Sequence, residues 1–588
     1  MRADGRSERC AGHRVVLVAA VVLALVVSAC GGGGGDGGGD DEASTATSAP
    51  GIATGIVDEG TPREGGRLVV AVPAETAGWN PATGRWADSG NFVGSTFIES
   101  LAVFDDDGNL YPWLAESWSA SQDNQTWTIK LREGIRFHDG TEMDAEALRR
   151  GLDLARTDGL AAVQLRDVIT DVTVRDTYTV EVRLSFPWAV FDNVFAGPTG
   201  MVMAPSMLAD EDYGARRPVG TGPYRFRSWV PDRSVVVDRF DGYWGGPCAQ
   251  DDVDERTASL CERAGVPLGR RNGPFLDSIE FRPIVDSQQR ANALEAGDVD
   301  VILTTRAQDV TALQDRFQVV TDYDSEQTFV QLNTTKPPFD NVHARRALAY
   351  ATDRDAIRET AAAGQPLRTD TAPFEQGKFW GLAPGETGYP DHDPARAREE
   401  LAAYTAATGQ PTLRFQLSGM SNLDDLAILQ QLQAQWAELG IEAQIDSVEQ
   451  ASYIVKIVQG GYEAAYWRSY SFPEPDFNYV FWARRTAEGP IRVNFTGYWS
   501  EATEQALYVG RISPNRDDRK AAYDTLVRER NEQAVDVWLF NTPYAMVADN
   551  DVRGLNWFRV VPLATYLPKP WVGGMWLASA GAGSPEPA

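Results

Sequence analysis

The sequence is poor in basic side chains. Its 588 residues carry 54 Lys and Arg against 83 Asp and Glu, which gives a formal net charge of −29. Nucleic-acid binding requires a basic footprint, so a chain this acidic is not expected to bind nucleic acid. Lysine supplies only six of the 54 basic side chains, which we attribute to a genome of high GC content.

Histidine is also scarce, with four in the chain. The three that follow residue 30 are His138, His343 and His392, and they are scattered along the sequence. A metal site built on histidine needs several such residues at ligand spacing. We therefore predict no metal site and no cofactor.

Long apolar runs are missing, with one exception near the N terminus. Residues 15–27 are 13 consecutive apolar side chains, fewer than the roughly 20 that span a bilayer. Four arginines precede this run, at positions 2, 6, 9 and 14. A basic segment followed by a short apolar segment is typical of a signal peptide, which we place at residues 1–29.

The signal peptide leads into Val27-Ser28-Ala29-Cys30, which resembles a bacterial lipobox. The resemblance implies that Cys30 carries a lipid and that the folded protein is anchored on the extracytoplasmic face of the cell membrane. An ordinary secretory signal followed by a fortuitous cysteine is the alternative. Residues 30–65 are rich in Gly, Ser and Asp, and we predict a flexible tether there.

Two further cysteines, Cys248 and Cys261, follow in a chain that is expected to face an oxidising compartment. We predict that they form a disulfide with a structural role. Free thiols and a metal site are the alternatives, and the absence of a neighbouring histidine argues against the metal site.

The region between the tether and the tail holds about 525 residues, too many for one core, so two or more lobes are expected. Its pattern predicts a mixed α/β fold, with strands first and alternating helices and strands from about residue 287. A hairpin is predicted at 118–137. Further strands are predicted at 66–72, 172–184, 224–229, 234–239, 278–283, 299–303, 328–332, 412–417, 442–448 and 535–540, and helices at 145–155, 288–296, 342–352, 424–439 and 517–533.

Five motifs occur in order along this region. They are LAESW at 114–118, LREGIRFHDG at 131–140, PVGTGPYRF at 218–226, NTTKPPFDNVHARRAL at 333–348 and NFTGY at 494–498. Together they resemble the family 5 extracellular solute-binding proteins of ABC transporters, the group that binds oligopeptides, dipeptides and nickel. The resemblance extends from about residue 66 to about 560.

The resemblance implies a two-lobed α/β fold of the periplasmic-binding-protein type II class, in its large variety with three subdomains. Lobe I would comprise residues 66–287, with an inserted subdomain at about 92–215. Lobe II would comprise 288–540, and residues 541–577 would return to lobe I. Residues 578–588 would form a disordered tail.

The resemblance also implies a function in binding, not in catalysis. The lobes would close around a peptide-like, sugar or other organic solute, and the protein, as a monomer, would deliver it to the permease subunits of an ABC importer. Two alternatives are an extracellular hydrolase acting on glycans or peptides, which would need two carboxylates across a cleft, and a ligand sensor that reuses the fold.

Peptide-binding members of the family carry an aspartate three residues after a tryptophan of the second lobe, and it pairs with the α-amino group of the peptide. Here the tryptophan is Trp467, and neither Tyr470 nor Ser471 is acidic. A peptide with a free amino group is therefore in doubt, because a buried ammonium needs an anionic partner. Aromatic stacking and an anion on Arg468 are the interactions we expect instead. The predicted ligand-binding residues are Trp467, Arg468, Tyr470, Ser471, Tyr466, Trp380 and Trp79.

Overall fold

The computed structural model describes residues 52–54 and 60–580, apart from 85, 87, 106–107, 158–161, 251–252, 264–265, 267, 272, 324–325, 384, 471–473, 485–493 and 556–570. The predicted signal peptide, Cys30, most of the tether and residues 581–588 of the predicted tail lie outside the described residues. Within the described ranges, none of the helices has the length and apolar character needed to cross a bilayer.

The strands are, in chain order, β1 (Ile52–Thr54), β2 (Arg67–Val72), β3 (Ala102–Phe104), β4 (Leu110–Pro112), β5 (Ala115–Ala120), β6 (Thr126–Leu131), β7 (Ile169–Asp176), β8 (Thr179–Leu184), β9 (Tyr224–Val230), β10 (Ser234–Arg239), β11 (Ser278–Pro283), β12 (Val301–Thr304), β13 (Gln318–Asp322), β14 (Glu326–Leu332), β15 (Arg414–Met420), β16 (Glu442–Val448), β17 (Ala464–Tyr470), β18 (Asp536–Asn541), β19 (Tyr544–Ala548), β20 (Val552–Arg553) and β21 (Trp576–Leu577).

The α-helices are α1 (Asp88–Gly94), α2 (Ala145–Thr157), α3 (Ala162–Leu165), α4 (Pro205–Leu208), α5 (Glu211–Arg216), α6 (Glu255–Arg263), α7 (Ser287–Ala296), α8 (Ala307–Leu313), α9 (Val342–Ala351), α10 (Arg354–Ala362), α11 (Pro394–Thr408), α12 (Leu423–Ala437), α13 (Gln450–Val458), α14 (Tyr479–Trp482), α15 (Glu501–Ile512) and α16 (Arg516–Glu532). Single 3₁₀ turns lie at Phe191–Ala196, Pro198–Gly200, Pro247–Ala249, Pro475–Asn478 and Val572–Gly574.

An eight-stranded sheet in the order β1-β13-β19-β12-β2-β11-β10-β9 forms the centre of what we call the first body. Its strand β2 is parallel to both β11 and β12. Val70 packs into the large core on one face of β2, and Ala71 packs on the other face against α7 and α8. A strand buried on both faces needs a continuous apolar run, which explains the sequence RLVVAV.

A four-stranded antiparallel sheet in the order β5-β6-β8-β7 shares the large core of the first body. Along β6, Trp127, Ile129 and Leu131 are buried and alternate with partly exposed residues. This alternation with period two is the pattern that predicted the hairpin at 118–137, and β5 and β6 confirm the prediction.

The two glycine-containing motifs of the first body contact each other. The backbone N–H of His138 donates to the carbonyl of Gly220 at 2.9 Å, and His138 Nε2 lies 2.9 Å from the carbonyl oxygen of Gly222. A Cβ atom at position 220 would lie 2.0 Å from the carbonyl oxygen of Phe97, so only glycine fits there. Burial lowers the pKa of His138 to about 4, and the imidazole is therefore neutral at physiological pH.

Glu99 lies at the centre of the first body and is fully buried. Four side chains donate hydrogen bonds to its carboxylate: Trp113 at 2.8 Å, Thr221 at 2.7 Å, Tyr243 at 2.8 Å and Trp244 at 3.0 Å. Burial raises the pKa of Glu99, and the four hydrogen bonds oppose that change. The carboxylate thus joins segments that are far apart in the sequence.

A five-stranded sheet in the order β16-β15-β17-β14-β18 forms the centre of what we call the second body. Strand β15 is parallel to β16 and β17, whereas β14 is antiparallel to β17 and β18. Tyr466 packs into the apolar core on one face of β17, and Trp467 packs on the opposite face. Successive residues of a strand point to opposite faces, which accounts for this division.

The chain crosses between the two sheets twice. It leaves the eight-stranded sheet after β13 and enters the five-stranded sheet at β14, and it returns between β18 and β19. Strands β12 and β13 pair in the eight-stranded sheet although they lie inside the predicted lobe II, 288–540. The lobe limits stay a prediction, and the sheet pairing favours a first crossover near residue 323.

Candidate functional site

A cavity of about 860 Å³ lies between the first and the second body. This volume is within the range of roughly 300–1,000 Å³ that is typical of small-molecule sites. The first body contributes the wall that we call wall A, formed by residues 108–111, 189–190, 192–193, 254–256 and 259. The second body contributes wall B, formed by Glu474, Arg516 and Arg519.

Wall B is held in place by local sequence signals. Asn515 caps α16, because its side-chain oxygen accepts from the backbone N–H groups of Asp517 and Asp518. Arg516 and Arg519 follow three residues apart, so they lie on the same side of the helix. Glu474 has the extended backbone expected of a residue that precedes a proline, here Pro475.

Two buried ion pairs anchor wall B. The guanidinium of Arg519 lies 3.1 Å from Glu474 Oε2, and the guanidinium of Arg511 lies 2.8 Å from Asp476 Oδ1. The side chains of the first pair are each 8% exposed. Burial raises the pKa of Glu474 to about 7 even though the charge of Arg519 acts in the opposite direction.

The second ion pair also joins the two bodies. Trp188 of the first body donates from Nε1 to Asp476 Oδ2 at 2.8 Å, and the guanidinium of Arg511 lies 4.1 Å from the centre of the Trp188 ring. The backbone N–H of Ala189 donates to the carbonyl of Arg511 at 2.7 Å. These contacts lie beside the cavity, because Ala189 belongs to wall A.

Wall A carries a second carboxylate of raised pKa. Asp192 Oδ2 accepts a hydrogen bond from Trp118 Nε1 at 3.0 Å, and desolvation raises the pKa of Asp192. The guanidinium of Arg256 lies 4.9 Å from the centre of the Trp118 ring. The cavity is therefore lined by charges of both signs on both sides.

The Cys248–Cys261 disulfide supports wall A. The structure joins the two cysteines, whose Cα atoms are 5.6 Å apart. The bond connects the turn Pro247–Ala249 to α6, and the first residues of α6 line the cavity. A cross-link of this kind restricts the loop that presents these residues.

Of the predicted ligand residues on β17, Tyr466, Trp467 and Arg468 lie near the crossovers, and none of these three is among the described residues that line the cavity. The Trp467 ring lies 5.8 Å from that of Tyr453 and 6.0 Å from that of Phe495. Tyr466 is 6% exposed and its pKa is raised by burial. Tyr470 ends β17, and its side chain, like the whole of Ser471, lies outside what the structure describes.

The side chain of Arg468 forms contacts with residues of both sheets or their ends. Its guanidinium lies 3.1 Å from Glu326, which is 3% exposed, and donates to Thr305 Oγ1 at 3.3 Å. Thr305 directly follows β12 of the eight-stranded sheet, whereas Arg468 belongs to the five-stranded sheet. The positive charge of Arg468, which the sequence analysis assigned to an anionic ligand, therefore compensates the buried carboxylate of Glu326 at the crossover.

The two remaining tryptophans pack inside the protein. Trp79 is 1% exposed, and its ring contacts Trp86, Phe97 and Trp229. Trp380 lies behind wall B, with the guanidinium groups of Arg516 and Arg519 at 5.3 and 5.5 Å from the centre of its ring. Direct contact of these residues with a ligand stays a prediction.

Sequence reasoning missed most of the residues that line the cavity. Glu474, Asp192, Arg516 and Arg519 were not among the predicted ligand-binding residues. The cap at Asn515 and the spacing of the two arginines were readable signals for the start of α16. No local sequence pattern indicated that residues near 190 and residues near 475 would be in contact.

Two α/β bodies joined by two crossovers around a polar cavity define a two-lobed solute-binding fold. Residues 109–489 match the model of the family described as bacterial extracellular solute-binding proteins, family 5 middle, and the chain belongs to this family. It is therefore a binding component that delivers a solute to an ABC importer, as the resemblance of its motifs implied.

The chain is similar to three characterised proteins. It is 27% identical over 495 residues to the glutathione-binding protein GsiB of Pectobacterium atrosepticum, across 80% of this chain and 87% of GsiB. DppA of Helicobacter pylori, solved with the peptide STSA, has a TM-score of 0.72 at 22% identity, across 88% of this chain and 99% of DppA. MoaA of A. tumefaciens R10, solved with mannopinic acid, has a TM-score of 0.72 at 20% identity, with the same coverage.

Proposed function

We propose that this chain binds its solute in the cavity between walls A and B and releases it chemically unchanged to the permease subunits. The observation that carries the proposal is that the two walls belong to different bodies of the protein. A solute that touches both walls makes more contacts when the bodies are close together, and this difference favours the closed arrangement. The contacts of Trp188 and Ala189 with Asp476 and Arg511 would act in the same direction.

The second part of the proposal concerns the chemical class of the ligand. The similar proteins are named for glutathione or were solved with a peptide or mannopinic acid. We propose a small organic solute of this size range for the cavity of about 860 Å³. Catalysis is not part of the proposal, and the protein would act as a monomer.

Calorimetry with glutathione, the peptide STSA and mannopinic acid tests the proposal, followed by small-angle scattering of the protein with each compound that binds. We expect saturable binding of at least one compound, a smaller radius of gyration in its presence, and recovery of the compound intact. A cleaved compound would instead support the extracellular hydrolase. Binding with an unchanged radius would contradict closure.

We further propose that a lipid on Cys30 holds the protein at the extracytoplasmic face of the cell membrane. The support is the lipobox-like sequence at 27–30, which lies outside the described residues. Growth with radiolabelled palmitate should label the wild type but not Cys30→Ala, and the variant should appear in the soluble fraction. Membrane retention of an unlabelled Cys30→Ala protein would contradict the lipid anchor.

A further inference from the structure

We propose that Trp188 is a positioning residue for solute binding, because its contacts with Asp476 and Arg511 raise the fraction of the empty protein in which the two bodies are closed. The inference rests on the proposed function, since it concerns the same movement of the two bodies. It goes further in assigning part of that movement to a contact that needs no solute. The solute would then shift an equilibrium that this contact already biases towards closure.

Trp188 and Asp476 lie on different bodies. Trp188 belongs to the large core of the first body and is 1% exposed. Asp476 belongs to the 3₁₀ turn Pro475–Asn478, which follows β17 of the second body. The crossovers lie near residue 323 and between β18 and β19, so the connectivity of the chain does not hold these two residues together. Their contact therefore depends on how close the two bodies are.

The contact is a hydrogen bond to a buried carboxylate. Trp188 Nε1 donates to Asp476 Oδ2 at 2.8 Å, and Asp476 is 3% exposed. The other oxygen, Oδ1, accepts from Arg511 Nε at 2.8 Å, and this ion pair lies within the second body. A hydrogen bond to a charged group stabilises more than one between neutral groups. Separation of the bodies would take the Trp188 N–H away from the carboxylate and leave the ion pair in place.

The guanidinium of Arg511 lies between two aromatic rings, one from each body. It is 4.1 Å from the centre of the Trp188 ring and 3.3 Å from that of the Tyr479 ring. A cation over an aromatic face is stabilised more when it is removed from water, and Arg511 is 3% exposed. The second ring therefore reaches the cation only when the bodies are closed.

Two further contacts join the bodies at the same place. The backbone N–H of Ala189 donates to the carbonyl of Arg511 at 2.7 Å, and the rings of Phe104 and Phe477 meet edge to face with their centres 5.9 Å apart. Phe104 ends β3 of the first body, and Phe477 directly follows Asp476. Directional hydrogen bonds together with aromatic packing favour one defined position of the bodies relative to each other.

Another contact between the bodies is of a different kind. Arg306 directly precedes α8 of the first body, and its guanidinium lies 2.9 Å from the carboxylate of Asp424 in α12 of the second body. The two side chains are 27% and 47% exposed. Exposed ion pairs contribute little, because water solvates both charges when the pair is broken. We therefore assign the bias towards closure to the buried contact at Trp188.

The test measures the distance between the bodies in the protein without solute. Nitroxide labels are placed at Val174→Cys of β7 and Tyr508→Cys of α15, where the native side chains are 37% and 52% exposed. Cys30→Ala prevents labelling at that residue, and the Cys248–Cys261 disulfide offers no free thiol. Pulsed electron paramagnetic resonance should show two distances, one for the closed and one for the open protein. A single distance that shortens when solute is added would overturn the inference.

Trp188→Phe removes the donor to Asp476 but keeps an aromatic ring beside Arg511. The ratio of closed to open protein should fall by about tenfold or more, because the closed form then buries a carboxylate oxygen without its donor. Equal ratios in Trp188→Phe and the wild type would overturn the inference.

Trp113→Phe is the matched control. It also removes a tryptophan N–H that donates to a buried carboxylate at 2.8 Å, but the acceptor is Glu99 and both residues belong to the first body. We expect a lower melting temperature and a ratio of closed to open protein within about twofold of the wild type. A fall in this ratio as large as in Trp188→Phe would show that loss of stability, not loss of the contact between the bodies, opens the protein.

Phe477→Leu is a second test at the same contact. It removes the aromatic contact with Phe104 and keeps an apolar side chain, so the ratio of closed to open protein should fall by about threefold. Arg306→Gln removes the exposed pair with Asp424 and should change the ratio by less than about twofold. A larger effect of Arg306→Gln than of Trp188→Phe would contradict the assignment to the buried contact.

Affinity is a readout that a purely structural role would not change in proportion. If the closed arrangement holds the solute, the apparent Kd rises by the factor by which the closed fraction falls. Calorimetry with glutathione, the peptide STSA and mannopinic acid should show this proportional loss in Trp188→Phe and unchanged affinity in Trp113→Phe. A lower closed fraction with unchanged affinity would overturn the role of Trp188 in binding.

The same measurements separate this inference from the proposed function. If one of the three compounds closes the wild type and Trp188→Phe from the same open fraction and with equal affinity, closure around a solute stands and the inference fails. If none of the three compounds binds, the proposed ligand class fails, and the label distances in the empty protein still decide the role of Trp188.

Discussion

The first and the second body each contain a buried glutamate, and the two differ in how completely their hydrogen bonds are satisfied. Glu99 in the first body accepts from four side chains and is fully buried. Glu474 in the second body accepts from Arg519, and its Oε1 atom has no partner among the described residues. Glu474 lines the cavity, whereas Glu99 does not.

This difference separates a carboxylate whose hydrogen bonds are complete from one that keeps an oxygen without a partner among the described residues. A buried carboxylate whose two oxygens both accept hydrogen bonds from the protein stabilises the surrounding structure and has no acceptor left for another donor. A buried carboxylate with an unused oxygen carries a cost that the native contacts do not remove.

The same substitution at the two glutamates gives the sharpest contrast, and the larger effect is expected at Glu99. Glu99→Gln places an amide N–H₂ group against one indole N–H, which loses its acceptor, and against one hydroxyl, which must turn to accept; the other two hydrogen bonds lose the charge of the carboxylate. We expect the free energy of unfolding to fall by about 4 kcal/mol. Urea denaturation measures it. Glu116→Gln, at the partly exposed pair with Lys130, is the control and should change stability by less than about 1 kcal/mol.

The contact between the bodies gives the next largest effect. Asp476→Ala leaves Arg511 buried without its carboxylate and removes the acceptor of the Trp188 N–H. We expect a loss of about 3 kcal/mol in urea denaturation, because breaking a buried ion pair leaves an uncompensated charge. An exposed ion pair, such as the Arg396–Glu399 pair removed by Glu399→Ala, should cost far less. Equal losses in the two variants would show that the buried pair has no special role.

Arg468 tests whether the crossover residues belong to the scaffold or to the ligand site. Arg468→Gln leaves Glu326 buried without its cation. We expect a loss of about 2 kcal/mol in stability, with ligand affinity changed by less than about threefold. The sequence-based prediction that Arg468 binds an anionic ligand requires the opposite pattern. Denaturation and calorimetry on the same variant decide between them.

The smallest effect on stability is expected at Glu474. Glu474→Gln keeps an oxygen for Arg519 and removes a charge whose burial is costly, so stability at pH 7 should change by about 1 kcal/mol or less. The sign of this change in stability depends on pH. Because the folded pKa is raised to about 7, the contribution of Glu474 to stability is greatest below its ordinary pKa and is lost as the pH rises to 7.

The wild type should therefore lose stability relative to Glu474→Gln between pH 4.5 and 7. Denaturation at several pH values in this window measures the difference. Parallel stability curves for the two proteins would mean that Glu474 titrates as an exposed carboxylate does.

The sequence predicted the helices and strands of this fold better than it predicted the tertiary contacts between them. The apolar spacing near 424–439 gave α12 (Leu423–Ala437), and the alternating pattern at 442–448 gave β16 with its observed limits. The helix predicted at 145–155 follows Asp144, a residue type that often precedes a helix, and its side chain accepts from the N–H of Ala147 at 2.9 Å. Such signals are local, so one sequence is enough to read them.

The site depends on contacts that local patterns do not encode. Trp188 and Asp476 are separated by 288 residues and share a hydrogen bond. Trp380 was selected because tryptophan often stacks on ligands, but in the structure its ring lies beneath Arg516 and Arg519 of wall B. The resemblance to the family supplied the two-lobed arrangement, yet the residues of this cavity follow from how this particular chain packs.

Hydrogen exchange of the protein with and without a bound solute is the most direct test of a solute held between the two bodies. The account predicts that the ligand slows amide exchange in both 189–193, which contains residues of wall A, and 474–479 beside wall B. It also predicts unchanged exchange around Glu99. Protection confined to one wall, or no protection at either, would contradict it.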